Sequence, residues 1–311
     1  MITIKKTMLA IVCFAMLLQA CNTQKNEVAP NNLNANDVSV KNGALHFKNL
    51  DAFVKIVNQL NDGDLNLETW PASIGFENSL RKSEKENALD VPDPVFATVL
   101  NTDGVYFIGD EAHRVTAKYE YSTKAQNVDQ LLKIAIDSED DKIPGVKAHK
   151  IIFGTAADKF NAQAARFQGS ESRIKYVYRN RPVPYATRYD LRAVLEAWSR
   201  TYVFYSSLGI RIKGEKEEKG GLFNKLKWRE NVMDYAYISY EARAKSCING
   251  SCTTMGTVSD VKFDYNVSEL SITIDKVSGT SAWHVTEYIK GDFAYSNIGW
   301  EVVEWNNEVF D

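Results

Sequence analysis

The chain has 311 residues, of which 44% are hydrophobic and 25% charged, and its formal net charge is -3. That balance excludes a disordered chain, and it leaves no concentrated basic face of the kind that nucleic acid requires. The length suits one large domain or two modest ones.

At the amino terminus Lys5 and Lys6 precede an apolar run from Thr7 to Leu18, which closes on Leu18-Gln19-Ala20-Cys21. A charged n-region, an h-region too short to span a bilayer and a small residue at the cut site make residues 1–20 a signal peptide. The Leu-x-Ala-Cys end resembles a bacterial lipoprotein signal. It implies that Cys21 is lipidated, with palmitate-type chains, and becomes the first mature residue. Several acyl chains hold a soluble body at a membrane almost permanently. The expected partner is therefore a membrane, reached through the lipid on Cys21, and no other segment is apolar enough to span. Residues 21–42 read as a flexible tether, crowded with Asn22, Asn26, Asn31, Asn32, Asn34 and Asn36 and lacking apolar periodicity.

Order is expected from near Leu45, opening an α+β region over residues 43–168. Asn49 is a good helix cap, and Leu50, Phe53, Val54, Val57 and Leu60 share one helical face that Asp62-Gly63 ends. A meander follows in the pattern: a strand over residues 96–100, a turn at Asn101-Thr-Asp-Gly104, a strand over 105–109 and another over 113–121. A second amphipathic helix is expected over residues 127–136, with Val128, Leu131, Leu132 and Ala135 on its stripe.

The polar stretch Gln168-Gly-Ser-Glu-Ser172 is a candidate boundary, and beyond it, over residues 169–311, the period becomes two. Ile174, Tyr176 and Tyr178 alternate against Lys175 and Arg179; Val261, Phe263, Tyr265 and Val267 alternate with polar residues, as do Leu270, Ile272 and Ile274. That is the pattern of antiparallel sheets with one buried and one wet face. The expected fold is thus α+β: a small helix-plus-meander part, then a mainly antiparallel β-sandwich-like domain. The basic run from Lys213 to Arg229, interrupted by Glu215, Glu217 and Glu218, reads as a solvated loop. Cys247 and Cys252 flank Ile-Asn-Gly-Ser, and export places them in an oxidising compartment, so a disulfide across an Asn249-Gly250 turn is expected.

The signal, the Asn-rich tether, Phe96-Ala-Thr-Val-Leu-Asn-Thr-Asp-Gly104 leading into Val105-Tyr-Phe-Ile-Gly-Asp110, and Trp198 before Tyr202-Val-Phe-Tyr-Ser-Ser-Leu-Gly209 form a set. With these motifs the chain resembles uncharacterised exported lipoproteins of Bacteroides-type bacteria. The resemblance implies a cell-envelope location, most naturally the outer membrane, and a domain of unknown function. It carries over no catalytic or binding residue. Asn22-Thr-Gln-Lys25 stands where surface-exported members carry an acidic run, so the periplasmic and surface faces both stay open.

No catalytic signature, metal set or cofactor motif is present. The four histidines, His46, His113, His149 and His284, are far apart in sequence, and no nucleophile elbow or phosphate-binding glycine loop occurs. Asp110-Glu111-Ala-His113 reads as a hairpin tip and Asp137-Ser-Glu-Asp-Asp141 as a solvated acidic loop. Nine of the fifteen tyrosines lie between Tyr176 and Tyr240. Tyr178, Trp198, Trp228 and Tyr235 are the candidate ligand-binding rings, either as a platform for a glycan or protein or simply as sandwich core. The reading that follows is a non-enzymatic binding lipoprotein. A fimbrial-type assembly component, whose terminal strand would lie in residues 300–310, and a hydrolase with scattered residues stand beside it.

Overall fold

The computed structural model describes residues 37–83, 89–153, 173–179, 191–220, 225–296 and 303–310. Cys21, the signal peptide, most of the tether and the candidate boundary at 168–172 lie outside them. Among the described residues the fold is mainly β, in three sheets.

The first sheet holds β1 (Val38–Lys41), β2 (Ala44–Phe47), β3 (Val105–Ile108), β4 (Glu111–Val115), β5 (Tyr119–Lys124) and β6 (Lys147–Lys150), ordered as in the sequence. Only the β2–β3 pairing is parallel. Residues 38–41, which the sequence assigns to the tether, are already paired with β2. Across this sheet runs α1 (Leu50–Asp62). Its Asn49 side chain accepts from the Ala52 N–H at 2.9 Å, and Gly63 closes it in the left-handed region at φ 80°. The buried stripe is Ala52, Phe53, Ile56, Val57 and Leu60, so the expected face is rotated slightly and leaves Leu50 and Val54 half-buried.

Residues 96–100 are not the expected strand. After the short α2 (Trp70–Ser73), they belong to α3 (Pro94–Val99), because Asp93 accepts from the Phe96 N–H at 2.7 Å and Pro94 occupies the first turn. An Asp-Pro start outweighs the β-branched content that follows. The expected helix over 127–136 shrinks to α4 (Val128–Leu132), with Leu131 buried and Leu132 45% exposed. Arg114 ends it by donating to the carbonyls of Leu131 and Ile134. The strand expected over 113–121 is a hairpin, β4 and β5, turned where the Thr116 N–H meets the Tyr119 carbonyl at 2.8 Å. The Asn101–Gly104 turn forms as expected. Asn101 accepts from the Val105 N–H at 2.8 Å, and Gly104 sits at φ 77° where a Cβ would strike the Val115 carbonyl.

The second sheet contains β7 (Ile152–Phe153), β8 (Arg173–Arg179), β9 (Leu191–Thr201), β10 (Tyr205–Gly220), β11 (Lys225–Glu230) and β14 (Glu269–Ser278). The basic run expected as a loop is mostly ladder: Glu217 pairs with Trp228 and Glu218 with Lys227 across β10 and β11. Charges on both strands can lie on a wet face without breaking the backbone pairing. The third sheet has the order β13 (Ser251–Asp264), β12 (Tyr235–Ile248), β15 (Trp283–Ser296), β16 (Val303–Phe310).

These two sheets pack face to face. Leu195, Ala197, Leu208, Ile210, Ile212 and Leu270 meet Ala236, Ile238, Ala242, Ile289, Phe293 and Tyr295 in one apolar core. The opposite face of the second sheet receives the preceding α/β part through polar contacts. Asp93 accepts from the hydroxyls of Tyr205 and Thr273 at 2.9 and 2.8 Å, and Phe96 stacks on Tyr205 at 4.8 Å. Asp90 takes a two-pronged pair from Arg211 at 2.9 and 2.6 Å. Arg211 also pairs with fully buried Glu196. Burial would lower the Arg211 pKa, but the charges of Glu196, Asp90 and Glu269 hold it above its ordinary value.

Candidate functional site

Among the described residues, the outer face of the third sheet presents rings to solvent. Along β12, Ala236, Ile238, Tyr240, Ala242 and Ala244 point into the sandwich, so Tyr235, Tyr237, Ser239 and Glu241 point out. Cross-strand register adds their neighbours on β13 and β15. Tyr237 is flanked by Phe263 and Ala294, Ser239 by Val261 and Asp292, and Glu241 by Ser259 and Lys290. Just past β13, the Tyr265 ring lies 5.5 Å from Tyr235 and 6.2 Å, edge-on, from Phe263.

The apolar row of β13 is therefore not the buried face that its alternation predicts. Val261 is 54% exposed, Phe263 60% and Tyr265 58%. The period of two is correct, but the half that the alternation assigns to the interior faces out. Strands at a sheet edge, with no second layer over them, satisfy the pattern without burying it. A contiguous exposed apolar patch marks an interaction surface. Toward the middle of the sheet this patch passes into hydrogen-bonding groups. Ser239 donates to Asp292 at 3.2 Å, Tyr288 to Glu241 at 3.0 Å, and the Lys290 ammonium lies 5.1 Å from the Tyr288 ring centroid.

Of the rings chosen from sequence, only Tyr235 belongs to this face. Trp198 is fully buried, on the face of β9 away from Leu195 and Ala197, and a Cβ at Gly209 would collide with its ring. It is a packing residue and offers no platform. Trp228 is half-buried on β11 opposite Glu217, in the other sheet. Tyr178 lies on β8, where its side chain is outside the described residues. Phe263, Tyr265 and Tyr237, which complete this face, are not among the rings chosen from sequence. The signal for them was the Val-Lys-Phe-Asp-Tyr alternation itself, read with the wrong face outward.

Cys247 and Cys252 form the expected disulfide. Asn249 and Gly250 turn with φ of 52° and 82°, the positive pair of a type I′ hairpin, and set Cys247 opposite Cys252 with Cα atoms 4.1 Å apart. That is the close spacing of a non-hydrogen-bonded antiparallel pair, about 4.5 Å.

Two buried histidines carry polar networks that local spacing could not reveal. His284 Nδ1 lies 2.8 Å from the Ser206 hydroxyl and Nε2 lies 3.3 Å from Asp275, which also accepts from Ser246. Burial would raise the Asp275 carboxyl, but its hydrogen bonds to His284 and Ser246 hold it below its ordinary value. The residue types match a hydrolytic triad. However, Ser206 is fully buried and its hydroxyl is shared with Thr201 at 2.9 Å, so no carbonyl can reach it. The network ties β10 and β14 to β12 and β15. His113, placed by sequence at a hairpin tip, is instead buried, with Nδ1 3.1 Å from Glu120. Asp137 to Asp141 stays a loop, and among the described residues no three acidic, histidine or cysteine side chains gather as a metal site.

Comparison with known proteins found no family model that matches the chain and no curated protein with significant similarity to it.

Proposed function

We propose that this protein is a cell-envelope lipoprotein, held at a membrane surface by lipid on Cys21, that binds carbohydrate without catalysis on its outer aromatic face. The supporting observation is the row of rings Tyr235, Tyr237, Phe263 and Tyr265 beside Ser239, Asp292, Glu241 and Lys290. A sugar ring has an apolar face and a hydroxyl rim. Such a ligand stacks on aromatic carbon while its hydroxyls reach donors and acceptors one or two rows away. Each stacked ring contributes on the order of 1 kcal/mol, so binding resting on two or three rings is weak, near the millimolar range.

Calorimetric titration of the mature protein with soluble oligosaccharides tests the ligand. Phe263→Ala and Tyr265→Ala should each weaken binding about fivefold or more at unchanged melting temperature. Binding that survives both changes rejects this face. Capture of a protein ligand, with no glycan bound, turns the reading to a protein-binding module. The anchor is tested separately: Cys21→Ala should move the protein from the membrane fraction to the soluble fraction, and continued retention would reject lipidation. Protease shaving of intact cells would distinguish the surface and periplasmic faces of the outer membrane.

An assembly component is the second reading, and one observation favours it: the outer edge of β13 pairs with no strand among the described residues. The terminal strand β16 gives that reading no help, because it pairs with β15 of its own chain.

A further inference from the structure

We propose that two copies of this chain associate by antiparallel pairing of their β13 edges about a two-fold axis through Val261. This rests on the edge itself and is independent of the ligand assigned to the aromatic face.

β13 runs for 14 residues, exposed throughout except at half-buried Met255 and Val258, and among the described residues its only ladder is with β12. An unpaired edge of this length is a template for another strand. Its backbone donors are aimed outward and held ready. The Val261 N–H is taken by its neighbour Asp260 at 2.7 Å and the Tyr265 N–H by Asp264 at 2.8 Å, so neither donates to β12. In antiparallel strands the outward groups recur every second residue, which makes Ser259, Val261, Phe263 and Tyr265 the positions that can bond a second strand.

The side chains on the other face then choose the register. Asp260, Lys262 and Asp264 alternate with that outward set. A two-fold axis at Lys262 would set Lys262 against Lys262 and Asp260 against Asp264, both repulsive. Moving the axis to Val261 sets Lys262 of each copy against Asp260 of the other, twice, with Phe263 opposite Ser259. An axis at Phe263 would also match charges, through Lys262 and Asp264. There the strand ends one residue later and Asn266 bends the chain at φ 57°, so the overlap is shorter. The Val261 register is the longer charge-matched one, and its symmetry closes the contact at two copies. Asp260 would release the Val261 N–H, and Lys262 of the second copy, whose Nζ donates to its own Ser271 carbonyl at 3.0 Å, would turn to that carboxylate instead. The inward-pointing charges that keep an edge from random pairing thus favour one particular pairing. The product is a continuous sheet carrying both aromatic faces on one side.

Sedimentation equilibrium of the full mature chain in mild detergent, with cysteine cross-linking, tests this. Val261→Cys should give a disulfide-linked homodimer on mild oxidation, whereas Thr253→Cys, at the far end of the same strand, should not. Lys262→Asp should weaken dimerisation by roughly tenfold, and Asp260→Lys with Lys262→Asp should restore it, since opposite charges face again. Lys262 is exposed, so this pair of variants decides the matter even if the Val261→Cys chain folds poorly. A monomer at about 100 μM, or dimerisation indifferent to both charge variants, would overturn the proposal.

Discussion

Glu120 and Val203 lie 83 residues apart in sequence, yet the Glu120 Oε2 accepts the Val203 backbone N–H at 2.7 Å. The carboxylate is fully buried, and its other oxygen takes the Tyr106 hydroxyl at 2.6 Å and His113 Nδ1 at 3.1 Å. Val203 lies in the turn between β9 and β10, so one side chain of the first sheet fixes the hairpin of the second. The Phe204 ring, next along that turn, rests edge-on against His113 at 5.5 Å.

Stability should therefore depend on acid pH through Glu120. Burial would raise this carboxyl, but the hydrogen bond and charge of His113, then Tyr106 and the Val203 N–H, bring it below its ordinary value. A carboxyl depressed on folding contributes stability that is present above the unfolded value, about 4.3, and is lost as pH falls through the folded value. Melting temperature should decline below roughly pH 4.3, and Glu120→Gln should flatten that decline while lowering stability at pH 7 by about 2 kcal/mol. A parallel acid limb in the variant would show that other carboxylates control it.

Asp93 joins three elements with one carboxylate: the first turn of α3, Tyr205 of β10 and Thr273 of β14. Asp93→Ala removes a helix cap and leaves the buried Tyr205 hydroxyl and the half-buried Thr273 hydroxyl without their acceptor. The expected loss is about 2–4 kcal/mol in chemical denaturation. Asp93→Asn should retain the cap and recover roughly half of it. If both variants unfold with the wild type, the carboxylate is not what joins these elements.

Reducing the Cys247–Cys252 bond should cost little. The closed loop is short, with a sequence separation of 5, so the chain-entropy contribution is no more than about 2 kcal/mol. The type I′ turn at Asn249-Gly250 also holds the register alone. Cys247→Ser with Cys252→Ser should stay folded and melt a few degrees lower. Gly250→Val should do comparable damage with the disulfide intact, because φ of 82° is hostile to a β-branched residue.

Ring truncations should divide by face. Phe263→Ala and Tyr265→Ala should change stability by less than about 0.5 kcal/mol, since both rings are mostly exposed. Trp198→Ala should cost about 3–5 kcal/mol, because its ring is wholly enclosed. Urea denaturation of the three variants checks the division, and a costly Phe263→Ala would mean that the ring is structural.

What the amino-acid order determined unaided was local. Asn49 and Gly63 bracket α1, Asn101–Gly104 and Asn249-Gly250 turn where their backbone preferences demand, and the cysteines five apart close on such a turn. These depend on conformational preferences within a few residues, which no distant contact has to supply. The alternation of β12 likewise separated Tyr235 and Tyr237 from Ala236, Ile238 and Tyr240. Tertiary structure decided which alternating strands gained a covering layer. Val261, Phe263 and Tyr265 carry the same period as Leu270, Ile272 and Ile274, but β14 is packed against the opposite sheet while β13 lies at an edge. The meeting of Glu120 with His113 and Val203, and of His284 with Ser206 and Asp275, was equally invisible from local sequence. Buried polar groups need partners that only the folded chain brings within hydrogen-bonding reach, and a residue type alone does not say which partner arrives.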